Sequence, residues 1–211
     1  MRKMIMNLIQ KTRTMSEKSL PLIYLQKQVV FPYCNVSFLS GNKNLAGIKQ
    51  GDRVVALPVR TVLDMLFPRG RMATLSDVVE IKQEDAGWNV QLKGISRVRL
   101  GRTSGFALAE YDGIDEVERP GQERLREDLR KKSQELIFLI NVNESDKLIH
   151  LLNFLVNLPQ LSDFVSNYFI LKFPRRYDIF IERDVELRAR KLLVVLDELI
   201  ADLKVKRERE R

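Results

Sequence analysis

The feature that most constrains this chain is a change of hydrophobic period near Glu118. Upstream, from Leu20 to about Tyr111, apolar residues come in short runs broken by Gly and Pro, several of them alternating with polar residues. A period of two sets one row of side chains on one face of a strand. Downstream, apolar residues recur at steps of three and four, the spacing of one helix face. The sequence therefore predicts a β-rich part followed by a helical part.

In the first part, Val29, Val30 and Phe31 ahead of Pro32 read as a strand that ends at, or lies on, a sheet edge, because proline cannot donate to a ladder. Residues 52–59, entered through Gly51, read as another. In "SDVVEIKQE", Val79 and Ile81 are expected on one face and Val78 with Glu80 on the other. Asp85, Ala86 and Gly87 form a hairpin turn, after which Trp88, Val90 and Leu92 point one way. In "SRVRLGR", Val98 and Leu100 oppose Arg97 and Arg99, and "GFALAEYDG" supplies a last strand. One short helix is expected in "GNKNLAGIKQ". Short strands broken by Gly indicate a small barrel or sandwich.

The second part opens with Pro120 at a first helical position and apolar residues at Leu125, Leu129, Leu136, Leu139 and Ile140. Asn143 or Ser145 caps the next helix. Pro159 opens a third, with Leu161, Val165 and Phe169 on one face, and Pro174 ends or kinks it. Asp184 caps the last helix, in which Val185, Ala189, Leu192, Leu196, Leu199 and Leu203 form an a/d seam. The seam is expected to pack within its own bundle; a homodimer through this terminal helix is the alternative. The expected division is a basic flexible leader at 1–18, a β-barrel subdomain at 19–117 and a helical bundle subdomain at 118–211.

The net charge of +8 narrows the partners once it is located. Residues 1–19 carry five basic residues against one acidic, whereas residues 20–118 carry twelve against eleven. A nearly balanced body argues against a nucleic-acid footprint. No apolar run approaches the ~18 residues that span a bilayer, so no membrane partner is expected. Cys34 is the single cysteine. It cannot form an internal disulfide, which points to a reducing cytoplasm. One Cys and one His exclude the usual zinc clusters.

Chemistry finds few residues to work with. His150, the one histidine, lies in an apolar run of the helical part and is expected at or near a core. Cys34 is expected as a small buried hydrophobe. No nucleophile elbow or phosphate loop is present. Arg175, Arg176, Arg188 and Arg190 are expected as exposed helix charge. The chain is thus not expected to be an enzyme or to need a cofactor or metal. Binding remains. Phe31, Tyr33, Phe38, Leu66, Phe67 and Met72 are candidates for an apolar capture surface rich in aromatics and methionine. The competing reading is that most of them fill the barrel core.

These segments carry a family resemblance. "LPLIYLQKQVVFPYCNVSFLSG" resembles the opening of the Lon protease amino-terminal domain through Leu20, Pro21, Leu22, Leu25, Val29, Val30, Phe31, Pro32 and Gly41. "RGRMATLSDVVEI" is similar to its G-x-x-A segment through Gly70 and Ala73. "VQLKGISRVRL" is similar to its L-x-G-x-x-R element through Leu92, Gly94, Arg97 and Val98. "FALAEYDGIDE" resembles its closing strand. "LPQLSDFVSNYFIL" and "RDVELRARKLLVVLDEL" resemble its L-A-D-x-I-A and D-V-x-x-R-x-x-x-L-L helices. Departures are Gln26 and Lys27 for the usual Arg-Asp, Asn42 and Asn44 for a common Arg and Ser, and Ser162 for Ala before Asp163.

The resemblance covers about residues 19–203 and implies an α+β fold. A PUA-like β pseudobarrel is followed by an α-helical bundle with a long terminal helix. It implies a non-catalytic module that recognises unfolded or damaged polypeptides, as an adaptor or regulator of proteolysis beside an ATP-dependent protease. The chain ends where the long helix would lead into an ATPase, so a free-standing protein without ATPase and peptidase modules is expected. The alternatives are the excised fragment of a full-length protease, or an RNA-binding PUA-like protein.

Overall fold

The opening stretch does not alternate because the strand it forms is covered on both faces. The computed structural model describes residues 19–105, 107–140 and 145–209. The expected leader at 1–18 and the candidate cap Asn143 lie outside them. The described chain divides between Ile114 and Asp115 into two compact units, where a boundary between 117 and 118 was expected. The first unit holds strands β1 (Ser19–Gln26), β2 (Asn35–Ser40) and β3 (Arg53–Val59), then helix α1 (Val62–Leu66), then β4 (Met72–Glu84), β5 (Gly87–Ser104) and β6 (Leu108–Gly113). A 3-10 turn at Lys43–Gly47 is the short helix expected after β2.

β1 sends Ile23 and Leu25 into one apolar cluster and Leu22 into another. β3 does the same, with Val54 and Ala56 on one side and Val55, Leu57 and Val59 on the other. The two strands run parallel, Leu22 opposite Val55 and Gln26 opposite Val59. Strands buried on both faces read as continuous apolar runs. The sheet order is β2-β5-β4-β3-β1-β6, and β5 also pairs with β6. The length of β5 makes this possible: residues 88–93 pair with β2, and residues 98–104 pair with β6. The sheet so curls onto itself as a pseudobarrel.

Two local expectations are corrected. Val29, Val30 and Phe31 form no strand; they are buried in the link between β1 and β2, and Pro32 makes an isolated bridge to Gly94. In β4, Val79 is exposed while Val78 is buried and Ile81 packs beside it. The register with β5 shifts between Val78 and Glu80. A bulge adds one residue and reverses the alternation that a regular strand would keep. Trp88, Val90 and Leu92 share one cluster, as their spacing predicts.

The second unit comprises α2 (Glu123–Ile140), α3 (Ser145–Phe154), α4 (Leu158–Phe169), α5 (Phe173–Phe180) and α6 (Val185–Arg209). Pro120 does not open α2: it sits in a turn with Gly121, whose φ is +91°, and the helix starts at Glu123. The buried stripe of α2 runs through Leu125, Leu129, Ser133, Leu136 and Ile137, so Ile137 rather than Ile140 faces inward. Pro159 lies in the first turn of α4, and the Asn157 side chain accepts from Gln160 N–H at 2.9 Å. Pro174 lies in the first turn of α5. Asp184 caps α6 by accepting from Glu186 N–H at 2.9 Å and Leu187 N–H at 3.1 Å. Those bonds, Leu187's first, hold its carboxyl below the usual range.

α6 packs against α2, α4 and α5 of its own unit. Val185, Ala189, Leu192 and Leu196 are buried there, and the stripe continues through Ile200, leaving Leu199 and Leu203 half-buried. A straight helix drifts away from a strict seven-residue repeat within a few turns. Leu192 and Leu196 have no exposed surface to offer a second copy. Among the described residues no helix is long and apolar enough to cross a membrane.

Candidate functional site

The six residues proposed from sequence separate into buried and exposed groups. Phe31 is 0% exposed and Met72 lies in the core. Phe38 is half-buried against the cluster of Ile23 and Leu25. Tyr33, Leu66 and Phe67 are open to solvent, at 57%, 52% and 68% exposure.

Phe31 is held by two residues of β5. The Arg97 guanidinium stands over its ring, 6.0 Å from the centroid. Gly94 passes so close that a Cβ there would lie 2.2 Å from the Phe31 carbonyl oxygen. Thr74 Oγ1 donates to Val30 O at 2.6 Å. Gly94 N–H donates to Cys34 O, and Tyr33 N–H to Gly94 O, both at 2.9 Å. The loop thus fixed holds Tyr33 at a φ of +64°, a left-handed conformation uncommon for a bulky residue.

α1 was not anticipated from the sequence, although Thr61 and Asp64 stand three apart as capping-box residues do. Asp64 is buried, and its Oδ2 accepts from Arg60 N–H at 2.7 Å and Thr61 N–H at 3.3 Å. Arg71 Nη2 lies 2.8 Å from Oδ1, and Arg71 Nε donates to Phe67 O at 2.9 Å. Burial pushes the Asp64 carboxyl up. The two backbone donors and the charges of Arg71 and Arg60 outweigh it and hold the group below its ordinary value of 3.8. Asp64 and Met65 face inward, so Val62, Leu63, Leu66 and Phe67 are left exposed on one side of the helix.

Beside α1 runs a groove of about 540 Å³, lined on one side by Tyr24, Gln26 and Gln28 and on the other by Phe38 and Leu39, with Met65 of α1 closing it. Among the described residues that line it, none carries a formal charge. A second groove, of about 640 Å³, lies in the helical unit between α5 and α6. Its floor includes Ile179 and Val195, and its rim is tied by Arg175 to Glu198 and Lys191 to Glu182, both at 2.6 Å.

Two expectations in the helical unit are corrected. Arg188 is not helix-surface charge: it is 0% exposed. Its Nη1 donates to Glu116 Oε1 at 2.5 Å and Glu182 O at 3.1 Å, its Nε donates to Ser162 Oγ at 3.1 Å, and buried Asp163 lies 3.9 Å away. Arg190 on the same helix is exposed, as expected. His150 is exposed rather than in the core, its ring edge-on to Phe154 at 4.5 Å. Cys34 is buried and sits in the other unit. Among the described residues no group of three His, Cys, Asp or Glu is placed to hold a metal ion.

The fold is thus a curled β unit with exposed apolar residues at Tyr33, Leu66 and Phe67, followed in the chain by a helical unit whose last described helix is long. The chain belongs to the family of ATP-dependent protease La (LON) substrate-binding domains, whose model matches residues 19–198. Among solved structures it is similar to the N-terminal domain of Mycobacterium avium complex Lon protease, at 16% identity and a TM-score of 0.65, covering 88% of this chain and 99% of that one. It is also similar to a Lon N-terminal domain protein from Xanthomonas campestris, at 16% identity and a TM-score of 0.53, covering 83% and 97%. At that identity these likenesses show the fold. No curated protein matches the sequence.

Proposed function

We propose that this chain captures unfolded or damaged polypeptide on the apolar surface of its β unit, without catalysis of its own, and acts as an adaptor or regulator of an ATP-dependent protease. The observation that carries this reading is α1 and the residue that follows it: four exposed apolar side chains, Val62, Leu63, Leu66 and Phe67, held by a buried carboxylate and its arginine partners. Apolar surface presented on a rigid support binds without a further ordering cost. Tyr33, Phe38, Leu66 and Phe67 are assigned as contacts, with Phe31 and Met72 supporting them from the core. Membership of a substrate-binding family supports the reading, and so does the charge balance of residues 20–118, which favours apolar over phosphate-led recognition. The setting is the cytoplasm, where the single thiol of Cys34 stays reduced.

The test is a titration of the chain into a labelled, permanently unfolded model protein. Binding is expected at about ten micromolar, with little dependence on salt or ATP. The double substitution Leu66→Ser with Phe67→Ser is expected to weaken it about tenfold, since exposed apolar anchors dominate such contacts. Unchanged affinity in that variant would move the site away from α1. Failure to bind any unfolded chain would overturn the function.

A further inference from the structure

We infer that β2 receives polypeptide as an added strand: an extended, uncharged segment pairs main chain to main chain along the outer edge of β2 and sets alternate side chains into the groove beside it. Among the described residues β2 pairs with β5 alone, in unbroken register from Asn35 opposite Lys93 to Ser40 opposite Trp88. Alternate N–H and C=O groups of such a strand face away from its single partner. Natural sheet edges are usually blunted by Lys, Pro or a bulge. The β2 sequence, NVSFLS, holds neither residue, and its pairing shows no bulge. Leu39 is 55% exposed on this strand.

The groove chooses the occupant. Its walls present apolar Phe38, Leu39 and Met65 beside the neutral amides of Gln26 and Gln28, with no formal charge among the described residues that line it. Those described walls favour an uncharged occupant: a peptide backbone finds edge donors and acceptors, and apolar side chains find the floor. Met65 lines the groove and belongs to α1, next in the chain to Leu66. The inference rests on the polypeptide-binding reading above and specifies its mode.

The experiment uses the full chain and a labelled six-residue peptide of alternating valine and threonine, the length of β2, with a second peptide N-methylated at alternate residues on one edge. The methylated edge can no longer donate, while composition is nearly unchanged. Loss of two or three main-chain hydrogen bonds is expected to weaken binding about tenfold. The variant Ser37→Lys with Leu39→Lys, both exposed positions, is expected to weaken the plain peptide similarly while leaving thermal stability unchanged. Equal affinity for the two peptides overturns strand addition, and leaves capture at α1 standing if the unfolded protein still binds. No binding of either peptide also overturns it. Self-association of the chain that the double lysine variant abolishes would assign the edge to a second copy and overturn the inference.

Discussion

Gly94 and Arg97 stand three apart on β5 and meet the same residue, Phe31, one at its carbonyl and one at its ring. The glycine is there because backbone passes backbone with no room for a side chain. Gly94→Ala is therefore expected to destabilise the β unit by about 1–3 kcal/mol, the range for overpacking, read as a lower urea midpoint. A midpoint equal to the parent's would show that the loop yields. Asp64 gives a pH-dependent counterpart. Its carboxyl titrates below 3.8 in the folded chain, so it favours folding above that value and ceases to as pH falls through the lowered one. Asp64→Asn is expected to lower the urea midpoint at pH 7 and to narrow the gap to the parent near pH 3. In the helical unit, Arg188→Ala would leave Asp163 and Glu116 without their buried cation. A loss of about 3–5 kcal/mol is expected, measured by thermal unfolding.

At the scale of elements, burial separates a seam from a surface. α6 carries an a/d pattern that two copies would share in a coiled coil, yet its first turns are covered by α2, α4 and α5. Leu196→Glu is accordingly expected to cost about 3–5 kcal/mol, by lost packing and a buried charge, and to reduce helical circular dichroism. If the variant instead stays folded and its sedimentation mass halves, the seam joins two chains. α1 presents the opposite case. Five residues cannot hold a helix alone. Its shape comes from Asp64 accepting two backbone N–H groups and from Arg71 bridging Asp64 and Phe67. Apart from Met65, its apolar side chains are exposed.

At the scale of the molecule, two cores explain two units. The β unit holds its own apolar clusters on both faces of β1 and β3, and the helical unit closes around Leu129, Leu136, Leu161, Leu192 and Leu196. Residues 19–114, produced without the helices, are expected to fold and to unfold cooperatively. A non-cooperative urea transition would count against that independence. Much of this was legible beforehand. The change of period located the β-to-helix transition, the Asp184 cap began the last helix where expected, and the G-x-x-R spacing marked residues that the fold brings to Phe31. The exposed side of the site was less legible. Leu66 and Phe67 look no different in sequence from Phe31 and Met72, because hydrophobicity alone does not say which side of a strand or helix the rest of the chain will cover.

The amino-acid order by itself determined the division into a β-rich and a helical part, most of the longer elements and the family, since those depend on local period, caps and spaced motifs. Tertiary structure alone decided that Phe31 is interior and Phe67 is not, that Arg188 is buried beside Asp163 while Arg190 is solvated, and that β2 keeps an outer edge without a strand partner among the described residues. Each of these outcomes depends on which distant segment packs against a residue. That information lies in the folded pairing of strands and helices, not in any residue's neighbours along the chain.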